Sequence, residues 1–312
     1  MNGIRIVSTG RALPSKVVTN DDMSKLVDTS DEWISTRTGI RQRYFCDGEM
    51  NWQLAVKSAK KAIEKGNIDI NNIGVVIVAT FSSDYAFPSV ACLVQKELGL
   101  RCDIMSFDIN AACTGFLYAL NIAEGLLRSS DEKYALVIGS EQISTRLNME
   151  DRGTCVLFGD GAGAAIIERT ETDNYATVMG SEGDLEALVC PGQAMENRYI
   201  HMDGKKVFKF AVGTVGKVIN ELLDKTGNTI EDIDYVVCHQ ANERIIRSII
   251  KQFDCNPEKF YMNIHDYGNT SAASIPMALD EMYEKGLLTK GKKIISVGFG
   301  AGFTWGGMLF EC

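Results

Sequence analysis

GNIDINNIGVVIVAT at residues 66–80 and GNTIEDIDYVVCHQ at 227–240 carry one pattern, a polar turn that leads into an apolar strand. Ile70 and Ile73 match Ile230 and Ile233 at an offset of 160. Further on, YALNIAEGLLRSSDEKYALVIGS from Tyr118 parallels MALDEMYEKGLLTKGKKIISVGFG from Met277, with offsets between 159 and 161. A near-constant offset across two separated stretches predicts a duplicated chain, each half reading helix, strand, helix, strand. Strands alternating with helices of this length imply crossover connections. An α/β fold is therefore expected, with a mainly parallel sheet in each half and helices on both faces. No Pro/Gly/Ser-rich linker separates the halves, so they should pack closely. The boundary is expected near 171–175, giving an N-terminal half of 1–173 and a C-terminal half of 174–312. Sites commonly form where strands end and halves meet.

Composition bounds the class. The 312 residues are 45% hydrophobic and 23% charged, enough to bury a large core. Nine cysteines form an odd set with no CxxC pair, and MNGIRIVSTG at the start lacks a basic-then-apolar signal, so a reducing cytoplasm is the expected compartment. No apolar run reaches the roughly 18 residues needed to cross a bilayer, and no membrane partner is expected. A net charge of -9 argues against nucleic acid, whose phosphates need concentrated Lys and Arg.

Three side chains stand where chemistry would be expected. Cys113 lies where the strand IMSFDI (104–109) hands over to a helix reading FLYALNIAEGLL, whose Phe116, Leu120, Ala123 and Leu127 form a buried face. A thiol at a helix start feels the positive end of the backbone dipole, which should lower its pKa and make a nucleophile. Alternatively it is a small apolar residue under the sheet. His239 follows the strand DYVVC and precedes a helix with Ile245, Ile246, Ile249, Ile250 and Phe253 on one face; the carboxyl end of a parallel strand is the usual active edge. A hydrogen-bonded structural role is the plainer alternative. Asn269, in HDYGNTSAAS, could cap the next helix or donate an amide hydrogen to an oxyanion.

Two glycine clusters remain. VGFGAGFTWGG (297–307) cannot be a dinucleotide loop, because only five residues follow Gly307 and no helix can receive a pyrophosphate. It can expose backbone N–H groups, and Gly302 is a candidate for one side of an oxyanion hole. FGDGAGAAII from Phe158 runs straight into an apolar strand, where close backbone packing is its expected meaning.

AACTGF around Cys113, HQAN at His239, GNTSAAS at Asn269 and GAGFTWG at Gly302 together resemble β-ketoacyl-acyl carrier protein synthase III, the condensing enzymes that start bacterial fatty acid synthesis. TSDEWISTRTGIRQR from Thr29, DYAFPSVAC from Asp84 and DRGTCVLFGDGAGAA from Asp151 extend the resemblance along essentially the whole chain. It implies the thiolase fold, a duplicated α/β architecture in five layers, αβαβα. It also implies that Cys113 takes an acyl group from a CoA thioester. His239 and Asn269 would then hold the carbonyl oxygen of malonyl-acyl carrier protein while carbon dioxide leaves, and the backbone N–H groups of Cys113 and Gly302 would form the oxyanion hole. An Asn beside the His points to a CoA-primed starter reaction. One departure is Ala301, where the family has glycine.

The resemblance further implies CoA contacts at Trp33, Arg37 and Arg152; without it the arginines would be read as surface salt bridges. Phe87 resembles a residue that crosses a homodimer interface to close the partner's acyl pocket and favours short primers; otherwise it is core. Lys209, Arg244, Arg247 and Lys251, with Lys205 and Lys206, form a basic face for an acidic carrier protein, or simply a solvated helix stripe. No cofactor or metal is implied, since the CoA thioester is a substrate. Two rival functions are an acyltransferase of specialised metabolism using the same Cys-His-Asn site, and an inactive scaffold that binds acyl carriers.

Overall fold

A computed structural model describes residues 2–192 and 195–312. Ten strands form two five-stranded sheets. The first comprises β1 (Asn2–Ala12), β2 (Ile73–Ala79), β3 (Met105–Ile109), β4 (Tyr134–Glu141) and β5 (Gly161–Glu171), in the order β3-β2-β4-β5-β1. The second comprises β6 (Ala176–Ser181), β7 (Tyr235–Cys238), β8 (Phe260–Tyr261), β9 (Lys293–Gly300) and β10 (Thr304–Glu311), in the order β8-β7-β9-β10-β6. The second order is the first shifted by five labels, so the duplication in the sequence is a duplication of topology.

Each sheet is mixed, which corrects the expectation of mainly parallel sheets. β2 runs parallel to β3 and β4, and β7 parallel to β8 and β9; the remaining pairs are antiparallel. The reason lies in short returns. GFGAGFTWGG folds β9 directly back onto β10, with Gly300 opposite Thr304, and a tight return needs no crossover helix.

Helices complete five layers. α4 (Gly115–Arg128) and α7 (Ser274–Glu284) lie between the sheets, α2 (Asn51–Gly66) and α3 (Val90–Glu97) cover the outer face of the first, and α5 (Gly204–Thr226) and α6 (Glu243–Ile250) cover the second. Strand periodicity builds this. Val75, Ile77 and Ala79 of β2 face the central helices, whereas Val76 and Val78 face the outer ones. On α4 the expected stripe Phe116, Leu120, Ala123 and Leu127 is fully buried, each large side chain contributing about 1.5–3 kcal/mol of transfer free energy. Glycines let layers approach: a Cβ on Gly163 would stand 2.6 Å from the Met277 backbone nitrogen, which is the close packing expected of FGDGAGAA.

Both central helices start from one-turn 3-10 segments, Ala112–Thr114 and Ser271–Ala273, at matching positions of the two halves. Ala112 (φ 46°) and Ser271 (φ 50°) both adopt the left-handed backbone that side chains rarely take. The chain crosses from the first sheet to the second between Glu171 and Ala176.

Candidate active site

Cys113 occupies the middle of the first of those turns, directly ahead of α4. It lines a cavity of about 620 Å³ whose wall also includes Phe81, Phe158, Leu188, Ser271 and Gly302. The lowered thiol pKa expected at a helix start is not what the structure supports. Burial outweighs the helix end and pushes the Cys113 thiol up to about 12, while a hydrogen bond from Ser271 Oγ to Sγ (3.3 Å) pulls the other way. The resting sulfur is therefore a thiol.

His239 follows β7 and is buried, its N–H bonded to Val297 O of β9 (2.8 Å) and its ring edge-on to Phe299, with centroids 5.5 Å apart. Burial pushes its pKa down to about 3, so the imidazole is neutral. Its Nδ1 lies 2.7 Å from Ser274 Oγ, and that oxygen also faces the Gln240 N–H at 3.4 Å. Nδ1 is the one acceptor in reach of the Ser274 hydroxyl among the described residues, so that hydroxyl donates to it and the imidazole hydrogen stands on Nε2. Among the described residues Nε2 is buried without a partner, a donor awaiting an acceptor.

Asn269 is held by its own backbone, which donates to Leu157 O (2.8 Å) and accepts from Gly159 (3.0 Å). Its side chain does not cap the helix α7. Instead Oδ1 accepts the Ser271 N–H (2.9 Å), which turns the amide nitrogen the other way as a donor with no partner among the described residues. Gly302, at φ 140° in the β9–β10 turn, lines the same cavity as Cys113. The turn is tied to the nucleophile's own segment: Thr304 Oγ1 lies 2.8 Å from Thr114 Oγ1 and donates to Ala111 O (3.2 Å).

Ser271, Ser274 and Thr304 were not singled out in the sequence, because hydroxyl partners set by tertiary folding leave no local pattern. Gly300 was also missed, although it sits in a cluster that was noticed. A Cβ there would stand 2.8 Å from the Cys113 nitrogen, one of the two proposed oxyanion donors. Gly300→Ala is expected to lower acylation of Cys113 by about a hundredfold, the cost of displacing one such donor. Single-turnover acylation kinetics check this, and an unchanged rate would show that the contact relaxes freely.

Glu141, also missed, closes β4 beneath the cavity. Its Oε2 receives Thr80 Oγ1 (3.2 Å), the Phe81 N–H (3.3 Å) and Ser82 Oγ, pinning the loop that carries the cavity-lining Phe81. Burial pushes its carboxyl up from 4.5 to about 8. The folded state thus holds a proton that the unfolded chain has released, and stability is lost as pH rises from about 4.5 to about 8, by at most ~1.4 kcal/mol per pH unit from this group. Glu141→Gln should flatten that slope in denaturant titrations at several pH values; an unaltered slope would remove Glu141 as its source.

The CoA candidates converge on the Trp33 ring, and none of them is among the residues that line the cavity of Cys113. α1 (Asp31–Thr38) is capped by Ser30 Oγ, which accepts the Trp33 N–H (3.1 Å), and ends at Gly39 with φ 80°. The guanidinium carbons of Arg37 and Arg152 stand 4.6 and 4.7 Å from the Trp33 ring centroid. Arg152 also donates to Asp28 O (2.7 Å), within 3.7 Å of the Asp28 carboxylate. Phe87 is 86% exposed, so the alternative that it is core is overturned. Among the basic residues, Arg247 is engaged by Glu243 (2.6 Å), whereas Lys209, Arg244 and Lys251 are exposed and without ion-pair partners among the described residues. Lys205 and Lys206 fall within the first turn of α5, and Lys206 pairs with Glu186 (2.5 Å). Among the described residues no three His, Cys, Asp or Glu side chains gather as a metal site, and no helix is long and apolar enough to cross a membrane.

The model of 3-oxoacyl-[acyl-carrier-protein] synthase III matches residues 107–183 and that of its C-terminal region matches residues 223–312. The chain is 48% identical to a β-ketoacyl-[acyl-carrier-protein] synthase III of Clostridium novyi, over 100% of this chain and 99% of the relative. The chain belongs to the synthase III family. A corresponding enzyme of Clostridium acetobutylicum is 47% identical over 100% of this chain and 99% of its own length. A crystal structure of 3-oxoacyl-[acyl-carrier-protein] synthase III from Aquifex aeolicus superimposes with a TM-score of 0.94 at 44% identity, covering 99% of this chain and 100% of that one. The fold is thus that of the thiolase-type condensing enzymes, and this family member is a condensing acyltransferase. The five layers follow the same plan.

Proposed function

We propose that this synthase III condenses an acyl-CoA primer, acetyl-CoA or another short acyl-CoA, with malonyl-acyl carrier protein, giving 3-oxoacyl-acyl carrier protein and starting fatty acid synthesis. In the first step Cys113 Sγ bonds to the acyl carbonyl carbon, the bond to the CoA sulfur breaks, and the thiol proton leaves with CoA. The N–H groups of Cys113 and Gly302 hold the oxyanion. In the second step the malonyl thioester oxygen accepts from His239 Nε2 and Asn269 Nδ2, carbon dioxide leaves, and the enolate carbon attacks the acyl group on Cys113. The thiolate released recovers a proton. The observation that carries the reading is the pair of oriented donors, a His239 Nε2 without a partner among the described residues and an Asn269 amide turned by Ser271. Donors aimed at developing charge stabilise it without reorganising. Intact-mass measurement after mixing with a panel of acyl-CoAs tests the first step: one acyl increment on Cys113 is expected, and an unmodified chain, or an adduct elsewhere, would refute it.

Trp33, Arg37 and Arg152 would hold the nucleotide end of CoA, aromatic face to base and guanidinium to phosphate. A second copy would complete the acyl pocket. Phe87 projects into solvent beside β3, an edge strand bearing a half-exposed Met105, and Asp108 of β3 anchors the helix that follows Phe87 by accepting the Val90 N–H (2.7 Å). An exposed edge of this kind invites pairing with a partner strand.

Carrier docking would use Lys209, Arg244, Arg247 and Lys251. α6 touches α1, since Asn242 Nδ2 donates to Arg37 O (3.1 Å), so the basic face adjoins the proposed CoA cluster. Arg244→Glu with Lys251→Glu is expected to weaken the carrier-dependent step by about tenfold or more while cysteine acylation by acyl-CoA continues. Equal loss of both steps would reject docking there.

A further inference from the structure

We propose that Ser271 is a catalytic residue: its hydroxyl donates a hydrogen bond to Cys113 Sγ and holds the charge on sulfur whenever the thiolate forms. This role deepens the reading above and rests on Cys113 as the nucleophile. The oxygen lies 3.3 Å from Sγ, and among the described residues no other side chain hydrogen-bonds to that sulfur. Ser271 is 1% exposed and its hydroxyl engages no other partner among them. A buried hydroxyl aimed at one atom serves that atom.

The duplicated fold supplies an internal control. Ala112 occupies the equivalent left-handed position ahead of α4, and its methyl side chain supports the same turn without a hydroxyl. The Ser271 hydroxyl is therefore not required to make the turn, and what distinguishes the second half is that this position faces the sulfur carried by the first. His239 makes no such contact in this structure: its Nδ1 is engaged by Ser274, and among the described residues its Nε2 has no partner, the sulfur included.

Atoms and charge balance without consuming Ser271. During loading, Sγ gives up its proton, bonds to the acyl carbon, and the CoA sulfur departs with a proton; Ser271 keeps its own throughout. During condensation, Sγ leaves again as thiolate and meets the same donor. Nothing is oxidised or reduced. Hydrogen bonds to charged groups are the stronger kind, so losing this one should slow loading by about tenfold to a hundredfold.

Two variants separate the hydroxyl from the backbone. Ser271→Ala removes the hydroxyl and keeps the strained φ; Ser271→Gly removes it and fits that φ without strain, while both retain the N–H that orients Asn269. Rapid-quench acylation with acetyl-CoA should slow in both by about tenfold or more, and alkylation of Cys113 by iodoacetamide at one fixed pH should slow in both. Melting temperatures verify folding, and should Ser271→Ala fail to fold, Ser271→Gly decides alone. Wild-type acylation by Ser271→Gly, or an unchanged alkylation rate, would overturn the role. If the wild-type enzyme acquires no acyl group on Cys113, the nucleophile itself is wrong, a failure distinct from loss of the Ser271 effect.

Discussion

Cys113→Ala will form no acyl-enzyme with any acyl-CoA and will lose condensation by at least about 10⁴-fold, because it removes the nucleophile that carries the acyl group between the two steps. The variant should fold normally. The side chain is small, and alanine already stands at the matching place in the second half, Ala272, ahead of α7. Its informative property is what it retains. His239 and Asn269 do not depend on sulfur for their positions, being held by Ser274 and by the Ser271 N–H, so malonyl-acyl carrier protein should still lose carbon dioxide. Carrier-bound acetyl product without condensation is the expected outcome. Condensation surviving in Cys113→Ala would place the nucleophile elsewhere.

His239→Ala and Asn269→Ala should show the converse. Each removes one donor from the developing enolate and is expected to slow decarboxylation and condensation by about a hundredfold to a thousandfold, while Cys113 still acylates near the wild-type rate. The two losses will not add fully, since both donors serve one oxygen. A pH test accompanies them. Burial holds the His239 pKa near 3, so its protonation state is constant between about pH 5 and 8, and decarboxylation should show no acid limb attributable to this imidazole. An acid limb near pH 6 that vanishes in His239→Ala would mean that the ring titrates and works as a base. Equal loss of acylation in both variants would assign them to the first step instead.

Much of the fold was legible in the chain, and for a local reason. Ile70 and Ile73 against Ile230 and Ile233 reported the duplication, and the α4 stripe reported a helix buried on one face, since periodicity reflects which side of an element meets the core. Parallelism was not legible, because the direction of a pair depends on how β9 turns back onto β10 and not on residue type. Cys113, His239 and Asn269 were candidates because strand ends and helix starts can be read in one dimension. Phe87 could not be told from core, as an aromatic side chain reads alike in either setting.

What the sequence alone determined is the doubled α/β plan and the order of residues along it, information carried by short-range pattern and composition. What only the tertiary structure decided is the chemical state of the site: a thiol raised by burial instead of lowered by a helix end, an imidazole kept neutral with its hydrogen on Nε2, and Ser271 brought from the second half onto a sulfur of the first. Desolvation and hydrogen-bond partnership depend on atoms far apart in the chain, so they come into being only when the two halves close on each other.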